Sequence, residues 1–134
     1  MYRVLSIFLL AGLCQLQAGA QIIPDGMGDA FGKGDAKALS AFFHESLEMT
    51  ITGTDHHVSK AQATRILDSF FKSNPPLAFQ VSFEGLKENS KYAIGTLKTE
   101  NNTYRVNIFF LDREKQKLIY YLTIEKASLY ELEP

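Results

Sequence analysis

His44, His56 and His57 are the histidines of this protein, and together with Cys14 they bound its metal and acid–base chemistry. A histidine at the mouth of a cavity can shuttle protons, because imidazole titrates near neutrality. His44, beside Glu45, is the candidate for that role, provided the fold brings it within hydrogen-bond reach of a substrate. His56 and His57 are adjacent, and neighbours on a strand point to opposite sides. With no His-x-x-x-His spacing and no cysteine pair, they do not make a zinc site, so the reading is no metal and no cofactor. Their expected place is a polar connector leading into Ser59. Tyr104 and Tyr120 are candidates to hydrogen-bond a ligand from a pocket wall or rim, although aromatics on strands serve packing first. Asp68 would be a pocket carboxylate if it turned inward, but helical spacing groups it with Arg65, Ser69 and Lys72 outside the apolar stripe. The serines and threonines lack a recognisable base and orienting acid, so no hydrolase triad is visible. Gly26 to Gly34 fails as a phosphate loop. The dinucleotide pattern needs glycine where Phe31 stands, and the P-loop needs glycine at Met27 and a hydroxyl residue at Gly34.

The first twenty residues form a unit of their own. Arg3 gives a positive start, Val4 to Leu13 is apolar apart from Ser6 and Gly12, and Ala18-Gly19-Ala20 offers a small-residue exit. These are the parts of a secretory leader, and they predict cleavage after Ala20 and export to a periplasm or beyond. The apolar run is about half of the roughly 20 residues that a spanning helix needs, so no stable membrane span is expected after processing. Leu13 before Cys14 is too large for lipid attachment at that cysteine. Residues 21–127 then form one domain and 128–134 a tail, with the only cysteine removed and no disulfide available. The sequence has 14 basic and 15 acidic residues, a balance that excludes a nucleic-acid partner held by neutralising phosphates.

The domain opens with helical signals. Met27, Ala30 and Phe31 follow Pro24 at helical spacing, and Asp35 can cap a second helix with Leu39, Phe42 and Phe43 as its stripe. Ser59 and Gln62 make a capping box for a third helix, in which Ala63, Ile66, Leu67, Phe70 and Phe71 recur on one face. Pro75 and Pro76 end it. A strand at Leu47, Met49 and Ile51 precedes that helix. Leu77, Phe79, Val81 and Phe83 alternate in another strand, and three more are expected near 91–98, 103–111 and 117–125. Short connections between these last four favour an antiparallel meander.

The final two strands are apolar on both faces. Tyr104, Val106, Ile108 and Phe110 match Leu118, Tyr120, Leu122 and Ile124, while Phe109, Leu111, Ile119 and Tyr121 fill the opposite side. A second apolar face predicts a partner, and a second copy of the same protein is the first candidate. A bulge that flips the alternation, or the tail (Leu129, Tyr130, Leu132) folding over, would also account for it.

The Gly34-Asp35-Ala36-Lys37-Ala38-Leu39-Ser40-Ala41-Phe42-Phe43 segment resembles the opening of the NTF2-like, or cystatin-like, cone superfamily. The whole of residues 22–127 looks like the exported single-domain DUF4783 family of Bacteroidetes-type bacteria. The resemblance implies an α+β cone of order ααβαββββ, with two or three helices on a curved antiparallel sheet, and it brings no established activity. Some members of the superfamily, such as ketosteroid isomerases and scytalone dehydratases, do acid–base chemistry in the cone, and others only bind. The expectation is a non-catalytic module that binds a small apolar ligand or a protein, including a homodimer through the sheet. The alternatives are a pocket enzyme of isomerase or dehydratase type and a structural domain whose cone its own side groups fill.

Overall fold

The computed structural model describes residues 22–114 and 116–128, so the predicted leader at 1–20 and the tail residues Leu129, Tyr130 and Leu132 lie outside it. The order is α1 (Met27–Lys33), α2 (Ala36–Ser40), β1 (Phe43–Ile51), β2 (Thr54–Ser59), α3 (Lys60–Ser73), β3 (Pro76–Lys87), β4 (Ser90–Thr99), β5 (Thr103–Arg113) and β6 (Gln116–Lys126). The strands form one curved sheet in the order β2-β1-β6-β5-β4-β3, with the helices on one side. Among the described residues no helix is long and apolar enough to cross a membrane.

The capping box forms as the sequence predicts. The Gln62 amide donates to Ser59 Oγ at 3.3 Å, and Gln62 Oε1 accepts from the Ser59 amide at 3.1 Å. A helix of 14 residues is marginal alone, so burial of Ala63, Leu67, Phe70 and Phe71 sustains α3. Asp68 pairs with Lys72 at 2.9 Å on its solvent side. At the far end, the Asn74 amide caps the Phe70 carbonyl at 2.8 Å, and the buried Tyr104 hydroxyl donates to Asn74 Oδ1 at 2.9 Å. Tyr104 thereby ties the end of α3 to β5.

The architecture differs from the sequence expectation in three places. The connector before Ser59 is a strand: β1 and β2 form a tight hairpin through Thr52 (φ 46°) and Gly53 (φ 87°), a pair of positive angles that suits a type I′ turn. Phe43 opens β1 instead of extending α2, which stops at Ser40. The sheet is also mixed, because β1 runs parallel to β6 while all other neighbours are antiparallel. The β2–α3–β3 excursion separates β1 from the meander and leaves it free to join β6 in either direction.

The core lies between the helices and the sheet, with Met27, Phe31, Leu39, Met49, Leu67 and Leu97 fully buried. Phe79 of β3 lies over Gly95 of β4 and stacks on Phe31 of α1, with ring centroids 4.7 Å apart. Only glycine fits there, since a Cβ on residue 95 would collide with the Phe79 ring, 2.6 Å from its Cε1. Gly95→Ala should therefore destabilise the fold by about 1–3 kcal/mol in urea denaturation. Adding Phe79→Leu should then cost less than the sum of the two single changes. Tyr104→Phe should cost about 1 kcal/mol by the same measurement, through the lost hydrogen bond to Asn74.

Candidate functional site

Pairing partners fix which side of the sheet each residue faces. On β4 and β5 the alternation is regular: Ala93, Leu97, Val106 and Ile108 turn to the helices, and Tyr92, Ile94, Asn107 and Phe109 turn away. The flanking strands carry irregularities, one near the start of β3, one at its middle and one in β6. In β3 the register shifts between Val81 and Phe83, so Val81 pairs with Gly95 on the helix side and Phe83 pairs with Ile94 on the outer side. In β6 the register shifts opposite Phe109 and Phe110, so Tyr121 pairs with Phe109 outside and Ile119 with Phe110 inside. An extra residue in one strand exchanges its faces beyond that point.

The result is a row of aromatic rings across four strands on the face without helices. Centroid separations are 5.7 Å for Phe83–Tyr92, 5.8 Å for Tyr92–Phe109 and 5.5 Å for Phe109–Tyr121. Tyr120 joins at 6.4 Å from Phe109. The Phe83 ring leans over Gly85 toward Tyr92 and remains 51% exposed. Leu111 extends the row at 36% exposure. Of the residues read as a sheet interface, Phe109, Leu111 and Tyr121 face outward. Ile119 does not: it is 0% exposed in the core, because the shift in β6 turns it to the helices.

Charges flank this row. Register places Glu48 and His57 beside Tyr121 on the same face, with His57 Nδ1 3.6 Å from Glu48 Oε1. Thr50 Oγ1 donates to Asp55 Oδ1 at 2.8 Å in the next row. At the other end Lys87 of β3 pairs with Ser90. His56 faces the opposite side from His57, against Met49. Among the described residues no group of three His, Cys, Asp or Glu residues is placed to hold a metal.

The three residues read as pocket or rim groups are each engaged separately. His44 Nδ1 lies 3.1 Å from the Ser46 carbonyl oxygen, so the ring folds back on its own strand. Tyr104 is buried against Phe70, with centroids 5.0 Å apart, and its hydroxyl is spent on Asn74. Tyr120 faces outward, its hydroxyl 3.0 Å from Ser90 Oγ. The correction to the face assigned to Tyr120 has the same cause as that for Ile119. Concave surface exists elsewhere. An open groove of about 410 Å³ is lined by Pro24, Ala41, Phe42, Gln116, Lys117 and Leu118. The sequence signalled the aromatic row only in part: Phe109 and Tyr121 stood out by alternation, whereas Phe83 and Tyr92 needed the register.

The DUF4783 family model, a domain of unknown function, matches residues 24–125. A DUF4783 family protein from Bacteroides fragilis is similar at 35% identity and a TM-score of 0.74, over 78% of this protein and 99% of that one. One from Bacteroides ovatus is 33% identical with a TM-score of 0.76, over 81% and 99%. A cystatin-like domain of unknown function from Nostoc punctiforme shares the fold at a TM-score of 0.60 and 13% identity, over 78% of this protein and 73% of that one. No curated protein matches the sequence. By family match, identity and a helix-backed curved sheet alike, the protein belongs to the DUF4783 family and has the NTF2-like fold.

Proposed function

We propose that the protein is an exported, non-catalytic interaction module that pairs with a second copy of itself through the outer face of its sheet. The aromatic row carries this reading. Phe83, Tyr92, Phe109 and Tyr121 form a contiguous apolar stripe that no helix of the described residues covers, and stripes of this kind mark contact surfaces. The charge pattern favours a second copy over an unrelated partner. The face is acidic at its β1–β2 end, at Glu48 and Asp55, and carries Lys87 at its β3 end. A two-fold axis through the row near Phe109 sets each end against the opposite end of the partner, as an isologous interface requires.

The helix side of the sheet supports a role without catalysis. Thr99 is the buried polar residue there, and its hydroxyl is spent on the Asn102 carbonyl at 2.8 Å. Among the buried described residues of that side, two convergent titratable groups, the minimum for acid–base work, are not found. The leader sequence supports export.

Native mass spectrometry on the processed protein tests both parts. A dimer is expected, and Phe109→Glu should raise its dissociation constant by roughly 30-fold or more, in keeping with ~2 kcal/mol for a central aromatic contact. The same change should leave folding nearly intact, because residue 109 projects away from the core. A wild-type monomer at all concentrations would sink the pairing. A bound small molecule lost on denaturation would move the role to the groove beside Phe42 and Leu118.

A further inference from the structure

The outer face of the sheet is divided by charge along its midline. In the order β2-β1-β6-β5-β4-β3 the middle falls between β6 and β5. On one side of it, β3, β4 and β5 turn Lys87, Lys98, Arg105 and Arg113 outward, in register with Ser90, Ala78, Thr96 and Gln116. On the other side, the outward charges among the described residues are the carboxylates of Glu125 on β6, Glu48 on β1 and Asp55 on β2, with His57 beside Glu48. The helix side shows no such division: Glu84 and Asp112 lie on the cationic strands, and Lys117 and Lys126 lie on β6. The separation therefore belongs to the outer face. The aromatic row crosses it at Phe109 and Tyr121, whose ring centroids are 5.5 Å apart.

We infer that two copies stack about a two-fold axis running along the strands between β5 and β6, so that the cationic half of each covers the acidic half of the other. This stacking rests on the pairing proposed above and fixes its direction. A self-complementary contact between two faces has its two-fold axis in the plane of contact. The strands and the aromatic row offer that axis two directions. Along the strands, β5 lies over the partner's β6, β4 over its β1 and β3 over its β2. Arg105 neighbours Glu125 across the midline; here each also meets the other's counterpart in the second copy, and four charges alternate in a square. Phe109 meets the partner's Tyr121. Along the row, each strand would lie over its own copy. Glu48, level with Phe109 and Tyr121, would meet Glu48, and Arg105 would meet Arg113, the two being equally far from Phe109 along β5. Opposed like charges suppress a wrong arrangement, and opposite charges set the register. The rings supply contact area in either direction, and the charges choose between them.

Single cysteines report the axis directly, because a residue beside a two-fold axis meets its own copy. Leu111 of β5 and Thr123 of β6 flank the midline at different heights, whereas Glu48 lies one strand further out, level with Phe109. Strands are about 4.8 Å apart, so the proposed axis holds Glu48 about 14 Å from its own copy. The test uses a Cys14→Ser background, which removes the natural cysteine whether or not the leader is cleaved. Leu111→Cys and Thr123→Cys should each join two copies through a short bis-maleimide roughly ten-fold faster than Glu48→Cys, because neighbouring groups in a complex act at millimolar effective concentration. Native mass spectrometry on each variant reports whether dimers are present before linking. Glu48→Cys joining as fast as the midline positions, or faster, overturns the axis and leaves the pairing standing. Dimers that join at none of the three positions overturn the axis and the outer-face pairing together, as does a monomer in every variant and in the wild type.

Discussion

A strand alternates its side groups with a period of two, so one inserted residue exchanges its faces from that point onward. Two of the register shifts in this sheet place the aromatic row. In β3 the shift at Ser82 leaves Phe79 and Val81 against the helices and turns Phe83 out. In β6 the shift at Tyr120 keeps Ile119, Leu122 and Ile124 inside and turns Tyr121 out. The regular strands β4 and β5 lie between them and contribute Tyr92 and Phe109 at the same level. The core and the aromatic row are therefore two results of one set of register shifts, and neither can be changed without the other.

The side facing the helices is committed to packing. Phe79 occupies the space above Gly95, Phe31 stacks upon it, and Tyr104 spends its hydroxyl closing α3. Curved sheets in this fold enclose a cone, and here the described residues of the cone are apolar and in contact with one another. Three of the polar groups that the sequence singles out are engaged close to home: His44 folds onto its strand, Asp68 pairs with Lys72, and His57 lies beside Glu48.

Much of this was legible in the sequence where the signal is local. The Ser59–Gln62 box and the stripe from Ala63 to Phe71 fix α3, and Asp35 caps α2 through the Ala38 amide as its residue type suggests. Signals that depend on pairing were not legible. Thr54–Ser59 has one apolar residue, Val58, because it is an edge strand whose stability comes from β1; Gly53, with its positive φ, was the local hint of a hairpin. Phe42 and Phe43 fit a helical stripe as well as the start of a strand, and the pairing of Phe43 with Ile119 decides between them. The bulge weighed as one account of the two apolar faces is present in β6, but the position of a register shift leaves no mark in composition, since a bulge is defined by the strand opposite. For that reason Phe83, Leu118, Tyr120 and Ile119 were assigned to the wrong faces while their neighbours on β5 were assigned correctly.

Whether a second copy covers the aromatic row is tested most directly by contacts between differently labelled copies. In a mixture of isotopically labelled and unlabelled processed protein, filtered NMR spectra report only contacts that cross from one copy to another. Such contacts are predicted at the rings of Tyr92, Phe109 and Tyr121, with none at Phe31 or Phe79 in the core. Cross-copy contacts absent from Tyr92, Phe109 and Tyr121, in a sample concentrated enough to saturate a weak dimer, would contradict the pairing.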